Sequence, residues 1–186
     1  QARNVPQAHS ALVDGRWERS KWEGVELEDK TLGVVGFGRI GRLVAHRAVA
    51  FGMKIVAHDP FVPAEAAKHL DVEVLELDDL IARADFLTLH VAKTRETIGL
   101  INKERLGLAK PHLRIVNVAR GGIIDELALA EAVASGQIAG AAIDVFDDEP
   151  TTESPLIGVP GIVTTPHLGA STLSLIHISE PTRRYR

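Results

Sequence analysis

"TLGVVGFGRIGRLVAHRAVAFG", residues 31–52, is the stretch that decides the fold. A short apolar run, "TLGVV", reads as a buried strand, and residues 39–51 follow with the apolar spacing of an amphipathic helix. Between them Gly36, Gly38 and Gly41 stand in G-x-G-x-x-G spacing. The first glycine permits a tight turn, the second lets backbone approach a pyrophosphate, and the third lets helix and strand pack closely. The helix start then offers free N–H groups and a partial positive charge to the phosphates, and Arg39 adds a full charge. A purely structural glycine turn is the competing reading, and the strand before it and the helix after it argue against that.

Outward from this stretch, short apolar runs alternate with helix-like ones. "KIVAHD", a helical 64–70, "VEVL", a helical 77–84, "FLTLH" and a helical 103–109 come first. "LRIVNV", a helical 125–135, "GAAIDVF" and "IVTT" complete the series. The alternation predicts a Rossmann-type α/β fold, a doubly wound parallel sheet with helices on both faces. The strands are continuous aliphatic runs without apolar/polar alternation, as expected where both faces are covered. Residues 1–30 are polar, carry Trp17 and Trp22, and show no sustained helical or alternating period, so they read as a connecting arm. Residues 31–172 read as the dinucleotide-binding domain.

Asp59 ends "KIVAHD" 18 positions beyond Gly41, close to the offset of about 20 at which an acid receives the ribose hydroxyls in such folds. A carboxylate there repels a 2′-phosphate, and Pro60, Phe61 and Val62 bring no arginine to welcome one. The expected cofactor is therefore NAD, not NADP.

Three later stretches end strands at the carboxyl edge, where ligands bind in open α/β sheets. "NVARGGIIDE" presents Arg120, whose planar fork suits a carboxylate next to a carbonyl, as in a 2-oxo or 2-hydroxy acid. "AIDVFDDEP" presents Asp144 and Glu149, and "TTPHLGAS" presents His167. A histidine held by a carboxylate has its protonated form favoured, which keeps an acid available near neutral pH. The expectation is that Glu149 holds His167, that His167 moves the proton, and that Arg120 steadies the developing alkoxide. Each residue also has a plain reading, as a surface ion pair, a turn acid and a loop histidine.

The totals narrow the rest. With 186 residues, 45% of them hydrophobic and 25% charged, the chain has the mix of a soluble domain and room for one real core. A net charge of −4 without a basic stripe disfavours nucleic acid as a partner. The absence of cysteine excludes disulfides, thiolate metal sites and a cysteine nucleophile. No apolar run approaches the roughly 20 residues of a membrane-spanning helix, and the opening has no basic-then-apolar leader, so no membrane is expected and a cytoplasmic location is. The histidines show no metal-ligand spacing, "DVFDDEP" has too few separated ligands for a calcium loop, G-x-S-x-G is absent, and "GFGRIG" lacks the Lys-Ser/Thr ending of a triphosphate loop.

Five ordered motifs, "TLGVVGFGRIG", "AHDP", "NVARGGIIDE", "AIDVFDDEP" and "TPHLGAST", resemble the NAD-dependent dehydrogenases specific for D-isomers of 2-hydroxy acids. "WERSKWEGVELEDKTLGVVGFGRIG", "HVAKTRETIGLIN" and "TESPL" are most similar to the branch that acts on 3-phosphoglycerate. The resemblance implies a catalytic trio of Arg120, Glu149 and His167. It implies NAD contacts from Gly36, Gly38, Arg39, Ile40 and Gly41, from Asp59, from Val118, Ala119 and Arg120, from Asp144, and from His167, Leu168, Gly169 and Ala170. His90 and Thr94 are expected to touch cofactor there too. It also implies a small 2-hydroxy or 2-oxo acid substrate and a homodimer formed through the cofactor domain, to which the Trp17 and Trp22 arm could add an anchor. Ala92 and Lys93 stand where relatives often carry Leu-Pro or Pro-Leu.

From Leu173 the sequence departs from the family pattern, so residues 173–186 read as a non-native tail. Part of the substrate domain is expected to precede Gln1, and a chain of this extent is expected to bind NAD yet turn over weakly. Three alternatives stay open at this point: an NAD-sensing, corepressor-like binding module, a glyoxylate/hydroxypyruvate reductase and a D-lactate dehydrogenase.

Overall fold

Runs such as "TLGVV" and "KIVAH" place aliphatic side chains on both sides of the backbone, so each strand needs cover above and below. The computed structural model, which describes residues 1–62 and 72–172, meets that need with seven strands. They are β1 (Thr31–Val35), β2 (Lys54–His58), β3 (Glu73–Val74), β4 (Phe86–Leu89), β5 (Arg114–Asn117), β6 (Gly140–Ile143) and β7 (Ile162–Thr164). They form one sheet in the order β3-β2-β1-β4-β5-β6-β7, and every pair is parallel. The doubly wound sheet expected from the sequence is what forms, and its order reverses between β1 and β4.

The described α-helices are α1 (Val5–Val13), α2 (Arg39–Val49), α3 (Leu77–Arg83), α4 (Lys103–Leu106) and α5 (Glu126–Ala134), with a 3-10 turn over Arg19–Trp22. The expected helix at 64–70 and the expected tail at 173–186 lie outside the described residues. Two clusters cover the two faces. Leu32, Val34, Ile55 and Ala57 pack with Phe37, Ala45 and Ala48 on one side. Val35, Val56, Leu87, Leu89 and Ile115 pack with Leu80, Leu106 and Leu129 on the other. Val34 and Val35 fall in different clusters because successive strand residues face opposite ways. Each such side chain, fully buried, stabilises the fold by roughly 1.5–3 kcal/mol.

The opening departs from the sequence reading in one respect. It contains a helix, α1, with Pro at its first turn, although "VPQAHSALV" shows no helical period. The reason is burial: only Ala11 of α1 is buried, so no apolar stripe was required to form it. The segment is nonetheless joined to the domain. The Gln1 side-chain amide donates to the Gly161 carbonyl at 2.8 Å, and Ala2, Val25 and Leu27 pack against the β1–β2 core. Trp17 is 81% exposed, whereas Trp22 is partly buried with the Lys21 ammonium 5.3 Å from its ring. No helix among the described residues is long and apolar enough to cross a membrane.

Candidate functional site

Because all strands run one way, their carboxyl ends share one edge, and the sequence-derived candidates arrive there together. Gly36 follows β1, Asp59 follows β2, His90 follows β4, Arg120 lies three residues past β5, Asp144 follows β6 and His167 lies three residues past β7.

The glycine turn is shaped by missing side chains. Gly36 adopts φ +91°, and a Cβ on it would lie 2.6 Å from the His90 carbonyl oxygen. A Cβ on Gly41 would lie on the Gly36 oxygen, so helix and turn meet only because Gly41 carries none. Gly38 has open space in front of it, with nothing within 4 Å of an added Cβ. It caps α2 without any side-chain cap, and Arg39 and Ile40 beside it are exposed. The first amides of α2 therefore face outward at the edge.

Asp59 reaches back across the crevice. Its carboxylate accepts from the Phe37 amide at 2.8 Å and from the Phe61 amide at 2.9 Å, which ties the end of β2 to the glycine turn. Each oxygen keeps a further lone pair. His90 sits on the floor between β1 and β4, its ring 3.0 Å from the Thr88 hydroxyl, and burial holds its imidazole below the usual range. Thr94 is exposed, its amide donating to the Thr97 hydroxyl at 2.8 Å.

Glu149 and His167 are brought together, with Nδ1 of the imidazole 2.6 Å from Oε2 of the carboxylate. The other carboxylate oxygen accepts the Phe146 amide at 2.8 Å. The His167 hydrogen bond, followed by that of Phe146, keeps the Glu149 carboxyl below its ordinary range. The pair lines a cleft of about 360 Å³ with Phe146, Pro150, Thr151 and Pro166, and the His167 side chain is 47% exposed.

His167 takes φ +54°, a left-handed conformation that costs a non-glycine residue about 1–2 kcal/mol. Asp144 supplies the compensation. It is 3% exposed, and its carboxylate accepts the Thr165 hydroxyl at 2.5 Å and the Leu168 and Gly169 amides at 2.7 Å each. Its own carbonyl accepts the His167 amide at 2.8 Å. Burial alone would raise the Asp144 carboxyl, but these three donors, with His167 nearby, outweigh it and the net direction is downward. Ala170, next along, is exposed.

Arg120 is less engaged. Its guanidinium donates to the Ala119 carbonyl at 2.6 Å, and among the described residues no hydrogen bond or ion pair joins it to Glu149 or His167. The turn that carries it is firmly set. Asn117 accepts the Ala119 amide and donates to the Arg120 carbonyl, both at 3.0 Å, while Val118 is exposed beside them.

Residues 1–169 match the family described as D-isomer specific 2-hydroxyacid dehydrogenase, NAD binding domain. The chain belongs to this family. A D-3-phosphoglycerate dehydrogenase of Mycobacterium bovis is 53% identical to this D-isomer specific 2-hydroxyacid dehydrogenase domain over 171 residues, 92% of this chain and 32% of the relative. Among solved structures, a glyoxylate reductase from Paecilomyes thermophila superposes with a TM-score of 0.87 at 35% identity, covering 96% of this chain and 54% of its own. The NAD-dependent formate dehydrogenase of Staphylococcus aureus, in complex with NAD, does so with 0.86 at 35% identity, covering 94% and 53%. The chain thus spans about a third of the length of that curated relative and about half of those solved chains.

For a 2-hydroxyacid dehydrogenase domain the test is whether the edge accepts NAD. An uncapped helix start behind a glycine that leaves open space fits a pyrophosphate, and a carboxylate at the end of β2 with lone pairs to spare fits a ribose. Sequence reasoning missed two residues that hold the site's loops, Asn117 and Thr165. The two glycines after Arg120 read from the sequence as room for substrate or cofactor; at Gly121 the close neighbour is instead the Phe146 carbonyl, on which a Cβ would fall. Thr165 left no trace in the sequence, because its partner lies 21 positions away.

Proposed function

We propose that this domain is the cofactor half of an NAD-dependent dehydrogenase that interconverts a D-2-hydroxy acid and its 2-oxo acid, with 3-phosphoglycerate as the substrate. The observation that carries the reading is the 2.6 Å contact between His167 and Glu149 at the same sheet edge as the glycine turn. At about 4.8 Å per strand, β1 and β6 are roughly 14 Å apart, a separation that an extended dinucleotide can bridge. Asp59 favours NAD over NADP, Gly36, Gly38, Arg39, Ile40 and Gly41 hold the pyrophosphate, and Val118, Ala119, Asp144, Leu168, Gly169 and Ala170 surround the nicotinamide end.

When bound, NAD accepts or returns the hydride. His167 holds the proton that the substrate oxygen gains or loses at C2, and Glu149 fixes the imidazole through Nδ1. Arg120 leaves the Ala119 carbonyl to take the substrate carboxylate in its fork. The division into an arm at 1–30, a cofactor domain at 31–172 and a tail at 173–186 belongs to the same reading. So do a cytoplasmic location and a homodimer formed through the cofactor domain.

The substrate choice rests on relatives such as the Mycobacterium bovis D-3-phosphoglycerate dehydrogenase. Binding of NADH against NADPH, followed by fluorescence, tests the cofactor; equal affinity removes the argument from Asp59. NADH oxidation by a panel of 2-oxo acids, using the full-length gene product, tests the reaction. No oxidation of any of them, with tight NADH binding, favours the sensor reading. The 186-residue chain assayed alone is expected to fall well below an ordinary turnover of about 10 per second, because its proton donor is open to water.

A further inference from the structure

The motif "RGGIIDE" holds two acids that the proposed reaction does not use. Asp125 caps α5, accepting the Ala128 amide at 3.0 Å. Glu126, the first residue of α5, spends its carboxylate on a different segment. One oxygen accepts the Asp147 amide at 2.7 Å and the other accepts the Ser154 hydroxyl at 2.6 Å. A single partly buried side chain therefore pins the loop that carries Glu149 on both sides, two residues before it and five after.

A second tie crosses the same place. The Lys93 ammonium lies 2.8 Å from the Asp147 carboxylate, and a Cβ on Gly122 would fall 2.6 Å from that carboxylate and 2.8 Å from the ammonium. The pair closes directly over the turn that follows Arg120. Gly121 presses on the carbonyl of Phe146, whose amide in turn donates to Glu149. Hydrogen bonding to Asp147 leads the causes that hold Lys93 charged, and the charges of Asp147, Asp148 and Glu126 add to it. Three segments, bearing Lys93, Arg120 and Glu149, thus meet at one junction.

We propose that Glu126, assisted by Lys93, is a positioning residue that clamps the Glu149 loop against the Arg120 turn, so that Glu149 meets His167 before any substrate arrives. The physical need is plain. Glu149 and His167 are both partly exposed, stand on different loops and sample many rotamers unless the backbone beneath them is fixed. Glu126 fixes it through the Asp147 amide and the Ser154 hydroxyl, not through the imidazole. The inference rests on the functional reading above only for its purpose; the clamp can be tested on this chain without a substrate.

The test follows the two ring nitrogens of His167 by NMR in the chain labelled with ¹⁵N at histidine, assigned with His167→Gln. In the Glu126→Ala variant these resonances are expected to move towards those of Glu149→Gln, with the melting temperature changed by only a few degrees. In the Glu126→Gln variant they are expected to stay near wild type, because the amide can still accept from Asp147 and donate to the Ser154 hydroxyl. Lys93→Met and Ser154→Ala, which each remove one tie, are expected to give intermediate shifts, and they carry the test if Glu126→Ala does not fold. Unchanged ring nitrogens in Glu126→Ala, or in both single-tie variants, overturn the proposal. Failure of the wild-type chain to bind NADH would sink the functional reading and leave the nitrogen result standing.

Discussion

Two buried aspartates stand at opposite edges of the same sheet and do different work. Asp85 precedes β4 at the amino edge, is 8% exposed, and accepts the Thr31 amide at 2.7 Å, the Lys110 ammonium at 2.8 Å and the His112 ring at 2.7 Å. Asp144 follows β6 at the carboxyl edge and accepts only neutral donors, two amides and a hydroxyl. Burial alone would raise both carboxyls, and in both the hydrogen bonds win; Asp85 ends at about 2. At the amino edge the negative charge is matched by the Lys110 ammonium and ties β1, β4 and the approach to β5 together. At the carboxyl edge, among the described residues, no ion pair joins it, and it shapes the His167 loop. A buried carboxylate balanced by charge ties strands together, whereas one held by neutral donors sets the path of the loop that carries His167.

The largest effect that would break this contrast lies at the carboxyl edge. Gly121→Ala places a methyl inside the Phe146 carbonyl and is expected to cost more than about 4 kcal/mol, seen as failure to accumulate folded chain. A folded, stable Gly121→Ala protein would show that the Arg120 turn and the Glu149 loop are not in fact locked. Next comes Asp144→Asn, whose new NH₂ must face one of the donors Thr165, Leu168 or Gly169. About 3 kcal/mol of stability and about tenfold in NADH affinity are expected to be lost together, read by denaturant melts and fluorescence.

Asp85→Asn is the matched experiment at the other edge. It is expected to cost about 2 kcal/mol, a fall of some 4–8 °C in melting temperature, and to leave NADH affinity within about twofold. A loss of affinity as large as that of Asp144→Asn would erase the division between the edges.

The pH dependence sharpens the same point. Asp85 is near 2 when folded and near the ordinary aspartate value of about 3.9 when unfolded, so its contribution is fully present above pH about 4 and drains away as pH falls towards 2. Wild type is expected to lose on the order of 2 kcal/mol more than Asp85→Asn across that window, measured as the difference between their acid melts. The smallest effect is the control: Lys103→Ala removes a well-exposed pair with Glu131 and should move the melting temperature by no more than about 1–2 °C.

The glycine turn and the strands were legible because each is written locally, in spacing and in continuous aliphatic runs, and the meeting of Glu149 with His167 because both follow strands of one parallel sheet at the same edge. α1 was not, since a helix that buries a single alanine needs no periodic stripe. Arg120 was legible as a residue but not as a direction: its guanidinium turns to the adjacent Ala119 carbonyl, a choice among rotamers that no spacing encodes. Thr165 and Glu126 were hidden for another reason. Each finds its partner more than 20 residues away, on a loop whose path is set by other contacts.

One consequence of the uniform strand direction concerns how such a protein can be altered. With every strand aimed the same way, the candidate site residues hang from one rim and Asp85 with its partners from the other. The two can be rebuilt independently, the first by exchanging connecting segments and the second by adding cross-links or fusion partners, with the sheet between them as an insulating floor.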